Sequence, residues 1–177
     1  MKVIFLDFDG VINNWYNFDG VAIENAMILK QILLRTNAKI VATTSNKYGL
    51  QRNIVVDYYS SNYYIKYVRY LNELGIKIDD MTSYVNGDRS LEIKRYLQEH
   101  SIEQFVIIDD ELVDSSLQEH QVFLDLYMGL QEEHIEPTLR ILNGQLEFYP
   151  REYNRNETFE ELSARINSYH NFLKRVR

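Results

Sequence analysis

Three short hydrophobic runs in this 177-residue chain each end in side chains able to bind or transfer charge. The first run leads into Asp7-Phe8-Asp9-Gly10-Val11, the second into Thr43-Thr44-Ser45-Asn46 and the third into Asp109-Asp110. Between the second and third lies Asp88-Arg89-Ser90, where a helix is expected to begin. A single acidic strand end is commonly a loop cap or a solvated turn. Several acidic and hydroxyl-bearing ends on one sheet edge are different, because carboxylates gathered there repel one another unless a cation or a proton compensates.

The elements that must bring these groups together alternate along the chain. Lys2–Leu6 is a continuous apolar run, as expected of a central parallel strand covered on both faces. Ile23–Leu34 carries apolar residues at helical spacing, and Lys39–Thr43 is a second β-rich run. Ser61–Leu74 reads as a helix with Gly75 as its C-terminal cap. Asp88 caps a helix running through Leu91, Ile93 and Leu97 to about Glu99. Phe105–Ile108 is a further strand, and Gln121–Leu126 a less regular one. Thr158 and Glu161 form a capping box for an amphipathic helix at about 157–176, striped by Phe159, Leu162, Ile166, Tyr169, Leu173 and Val176. Strands alternating with helices predict a three-layer α/β fold around a doubly wound, mostly parallel sheet, with one domain over 1–177. In such sheets ligands bind at the carboxyl ends of the strands, where the polar groups above lie.

Composition narrows the classes. With 45% hydrophobic and 25% charged residues the chain reads as an ordinary soluble globular protein. It has no cysteine, which excludes disulfides and zinc–thiolate sites and fits a reducing cytoplasm, the expected location. The apolar run Val3–Leu6 is too short for a signal peptide or a membrane span, so no membrane partner is expected. A formal charge of −7 argues against a protein coated in phosphate contacts but leaves room for a local basic strip. The four histidines, at 100, 120, 134 and 170, form no metal-binding spacing.

The ordered set of motifs resembles the haloacid-dehalogenase-like (HAD) phosphatase superfamily. Its first motif, Asp-x-Asp-Gly-Val/Thr after a hydrophobic strand, is matched by Asp7 through Val11. Its second, a Thr or Ser closing a strand, is matched by Thr44, with Thr43 the near alternative. Its third, a basic residue at a helix start, is matched by Arg89; Lys is usual there, and Lys94 stands one turn further on. Its fourth, paired acids after a strand, is matched by Asp109 and Asp110.

The resemblance implies that Asp7 is a nucleophile forming an aspartyl-phosphate. It implies that Asp9 protonates the leaving oxygen, then activates water, while its backbone carbonyl binds the metal. Asp7, Asp9, Asp109 and Asp110 would form an oxygen-rich site suited to Mg2+. Thr44 and Arg89 would hold the phosphoryl oxygens. Gly10, Ser45, Asn46 and Trp15 are the expected substrate contacts; Trp15, in the loop after the first motif, is a candidate platform with simple packing as the alternative.

Members of this superfamily insert large caps after the first or third motif region. About thirty residues separate Asp9 from Lys39 and a core helix fills most of them, so no large cap fits there. An open site favours a large phosphorylated substrate, such as a nucleic-acid end or a protein, or a nucleotide. Ser45-Asn46-Lys47 after the second motif is similar to small capless phosphatase domains of polynucleotide 3′-phosphatases and RNA-repair proteins. Tyr59, Tyr63, Tyr67 and Tyr70 share one helical face and are expected to pack on the sheet, with base stacking the alternative. A phosphomutase or phosphotransferase needs the same acids. A non-catalytic phosphate-binding or signalling module is the rival outside enzymes, although Asp9 has no evident purpose in one.

Overall fold

The computed structural model describes residues 1–14, 17, 20–50 and 58–146. The expected amphipathic helix at about 157–176 and Trp15 lie outside the described residues.

Five parallel strands form one sheet: β1 (Lys2–Leu6), β2 (Lys39–Ala42), β3 (Asp80–Met81), β4 (Gln104–Asp109) and β5 (Gln121–Phe123). Their spatial order is β3-β2-β1-β4-β5. The chain builds outward from β1 to β3, then returns across β1 to lay down β4 and β5. The order therefore reverses between β1 and β4, and a crevice opens at their carboxyl ends.

Side chains alternate across the sheet because successive Cβ atoms point to opposite faces. Ile4, Leu6, Ile40, Ala42, Val106 and Ile108 face one core. It is closed by α1 (Ile23–Thr36), α2 (Tyr58–Glu73) and α4 (Ile135–Leu142). Val3, Phe5, Val41 and Ile107 face the other, closed by Ile93 and Tyr96 of α3 (Arg89–Glu99) with Val113 and Leu117 of the loop after β4. The expected three-layer α/β arrangement is present, and every strand pair is parallel.

Local signals end the helices where expected. Asp88 accepts a hydrogen bond from the Leu91 amide at 3.0 Å, capping α3. Gly75 has a φ of +74°, and Ile76 N donates to Leu71 O at 2.8 Å to close α2. Among the described residues, α1 is the one element between β1 and β2, and a 3-10 turn over Ser45–Leu50 and α2 are those between β2 and β3. No large cap is present among the described residues.

The tyrosine face of α2 departs from expectation. Tyr67 is buried, but its packed neighbours are Tyr64 and Leu71, while Tyr63 and Tyr70 are 40% and 42% exposed. Both pairs flank Tyr67 at helical spacing, one on each side. The helix turns the side bearing Leu71 and Val68 inward because those residues have no polar atom, whereas a tyrosine at the rim keeps its hydroxyl wet.

Candidate active site

The strand ladders continue one residue past the strands, and this places the acids. Asp7 N donates to Ile108 O at 3.1 Å and Thr43 N to Leu6 O at 2.9 Å. Asp7 is thereby held between Asp109, the last residue of β4, and the Thr43-Thr44 step after β2. Asp7, Asp109 and Asp110 each bring a carboxylate oxygen within 4.8 Å of the others.

Arg89, the first residue of α3, reaches this cluster from the opposite layer. Its Nη1 donates to both carboxylate oxygens of Asp109 and lies 3.3 Å from Asp7 Oδ2 and 3.7 Å from Glu111 Oε2. Lys94 points elsewhere, pairing with Asp114 at 3.2 Å. Of the two basic candidates, Arg89 is the one that meets the acids.

One guanidinium does not neutralise three carboxylates. Burial pushes Asp7 above the usual carboxylate range, with Arg89, the Phe8 amide and the Thr44 hydroxyl opposing the shift. Burial, then repulsion from Asp7, drives Asp109 well upward. The same two causes push Asp110 up to about 7. Burial disfavours the charge on Arg89, but Asp7 and Asp109 outweigh it and raise its proton affinity. The cluster thus lacks positive charge. Its donors are all carboxylate oxygens, which suits a hard divalent cation.

Thr44 is the hydroxyl that serves Asp7. It helps to hold that carboxyl's proton affinity down, and its Oγ1 accepts from Asn46 N at 3.3 Å. The Thr43 hydroxyl is buried and has no hydrogen-bond partner among the described residues.

The Asp9 carboxylate stands outside the three-acid cluster. Its Oδ1 accepts from Asn13 Nδ2 at 3.0 Å and from the Tyr67 hydroxyl at 3.1 Å, and its Oδ2 accepts from Asn46 Nδ2 at 2.7 Å. Asn46, expected at the substrate, here spends its amide on Asp9. Gly10, an expected substrate contact, packs against Asp110. Its φ is +65°, and a Cβ there would lie 2.6 Å from Asp110 Cγ, so only glycine lets Asp110 close against the first loop. Ser45 is exposed and lines an open cleft of about 530 Å³ with Tyr48, Arg89, Lys94 and Glu111.

Two charged residues of the site were not assigned from sequence. Lys47 does not enter the cleft: its side chain is fully buried, and Nζ donates to Thr43 O at 3.0 Å, Thr44 O at 3.1 Å and Glu92 Oε2 at 2.8 Å. Glu92 also accepts from Thr82 Oγ1 at 3.0 Å and Val85 N at 3.3 Å. Glu92 was detectable in principle, being three residues beyond Arg89 and next to Ile93, where a buried carboxylate needs a partner. Lys47 gives no such sign.

The family of HAD domains in Swiss Army Knife RNA repair proteins matches residues 3–135. The chain belongs to that family. Membership of the HAD domain carries the general class of a HAD-type phosphatase that uses a metal ion, and the three-acid cluster fits that class. Comparison of this HAD domain with curated proteins found no match, and comparison with solved structures found none. Among its described residues, no helix is long and apolar enough to cross a membrane.

Proposed function

We propose that this HAD domain is a Mg2+-dependent phosphomonoesterase acting through a phosphorylated Asp7. The observation that carries this reading is the placement of Asp7 beside Arg89 and Thr44, with a second carboxylate, Asp9, held apart on the same loop. Asp7, Asp109 and Asp110 would hold the ion, as would the Asp9 backbone carbonyl. Bound there, it offsets the charge on the phosphoryl oxygens and orients them for in-line attack.

The remaining chemistry belongs to the chain. A carboxylate oxygen of Asp7 attacks phosphorus, forming an O–P bond as the ester P–O bond breaks. The leaving oxygen takes a proton from Asp9. Asp9 then accepts a proton from water, whose oxygen attacks the same phosphorus, releasing inorganic phosphate and free Asp7. Arg89 and Thr44 stabilise the equatorial oxygens in both steps.

The open rim favours a substrate larger than a metabolite. The family's description names RNA repair, which points to a phosphorylated RNA end. A net charge of −7 fits contact with the end alone, not with a long stretch of backbone.

The test is phosphate release from 3′- and 5′-phosphorylated oligoribonucleotides, a nucleotide and a phosphopeptide, each with Mg2+ and with chelator. Chelator-sensitive release from an oligoribonucleotide end is expected. Release no faster than that of Asp7→Asn on every substrate would overturn the reading.

A further inference from the structure

The tyrosine-rich helix brings the Tyr67 hydroxyl to the site. Tyr67 is 1% exposed, and its ring packs against Phe8, between Asp7 and Asp9 in sequence, at a centroid distance of 5.4 Å. Phenylalanine would fill that space equally well. The hydroxyl, however, accepts from Asn13 Nδ2 at 2.8 Å and donates to Asp9 Oδ1. Asn13 is fixed in turn, because its Oδ1 accepts from Gly10 N at 2.6 Å. A carboxylate oxygen offers about two lone-pair sites. With Tyr67 and Asn13 both donating to Oδ1, that oxygen is filled. Oδ2 accepts one hydrogen bond among the described residues, from Asn46.

Resting on the phosphatase reading above, we propose that Tyr67 is a positioning residue which, with Asn13, saturates Oδ1 of Asp9 and leaves Oδ2 to exchange the proton with the leaving group and with water. The arrangement fixes both the rotation of the carboxylate and the choice of oxygen. Its direct bond within the site is to Asp9, since the Tyr67 hydroxyl donates to Asp9 and not to the Asp7–Asp109–Asp110 cluster.

A positioning role for the acid predicts a bias by leaving group. An alkyl phosphate needs protonation of its departing oxygen, whereas p-nitrophenyl phosphate hardly does. Single-turnover rates with Mg2+ on glycerol phosphate and p-nitrophenyl phosphate isolate the first step. Tyr67→Phe is expected to slow glycerol phosphate about tenfold and p-nitrophenyl phosphate less than about twofold, with KM little changed. In an Asp9→Asn background the same substitution should leave the ratio of the two rates unchanged, because its route of action is gone. Asn13→Ser acts on the same oxygen and carries the same expectation if Tyr67→Phe does not fold. Equal fractional losses on both esters, or a further shift of the ratio without Asp9, would overturn the positioning role while leaving the phosphatase reading intact. No turnover by the unsubstituted chain of either ester or of any phosphorylated oligoribonucleotide, nucleotide or phosphopeptide would overturn both.

Discussion

Lys47 Nζ lies 2.8 Å from Glu92 Oε2, and neither side chain is exposed to solvent. The pair ties the loop after β2 to the first turns of α3, so it couples the backbone bearing Thr44 to the helix bearing Arg89. Burial pushes the Lys47 amine's proton affinity down, with Glu92 opposing the shift. Removing one partner leaves the other charged and dry. Lys47→Met is expected to cost about 3–5 kcal/mol in urea unfolding, and Lys47→Met/Glu92→Met to recover at least half of it. A double variant no more stable than Lys47→Met would show that the uncompensated charge is not the cause.

Asp7→Asn should lower turnover by about 10³-fold or more, because it removes the attacking oxygen without changing shape. It also removes one of three repelling carboxylates, so the metal-free variant should melt higher than the unsubstituted protein. Retention of more than a few per cent of the rate would sink the covalent mechanism.

The raised carboxyls give metal-free stability a definite pH slope. Between its ordinary value of 3.8 and about 7, Asp110 keeps in the folded state a proton that the unfolded chain releases. Stability therefore falls as pH rises through that window. In chelator, the melting temperature should be higher near pH 5 than near pH 8, and Asp110→Asn should flatten the difference. Mg2+ should raise the melting temperature most at the alkaline end, where its ligands are ionised. An unaltered slope in Asp110→Asn would place its origin elsewhere.

Gly10→Ala tests the closeness of the first loop to Asp110. The new methyl meets Asp110 Cγ and the backbone is left-handed there, so a loss of about 1–3 kcal/mol is expected. Displacing Asp110 should also weaken Mg2+ binding about tenfold by calorimetry. Unchanged affinity would mean that Asp110 does not bind the ion.

Much of this was legible in the sequence because it depends on local rules. Apolar runs that stop at acids became parallel strands with Asp7 and Asp109 at their ends, and Asp88 and Gly75 marked helix termini through backbone chemistry alone. What stayed hidden depends on partners distant in the chain. The Lys47–Glu92 pair spans 45 residues and the Tyr67–Asp9 bond 58, and neither leaves a periodic trace. The tyrosine face departs from expectation because two stripes both contain Tyr67, and the apolar Val68 and Leu71 turn one of them inward.

The continuation of the ladders beyond the strands has a kinetic meaning. The amides of Asp7, Thr43, Thr82 and Leu124 are each hydrogen-bonded to the neighbouring strand. Those of Asp7 and Thr43 lie in the middle of the sheet, between strands paired on both sides. They can exchange with deuterium only when the sheet itself opens, and so belong with the slowest amides of the protein. The nucleophile's backbone is then as rigid as the core, and no partial opening releases it while the fold persists. Displacement of the Asp7 backbone and opening of the central sheet are one event.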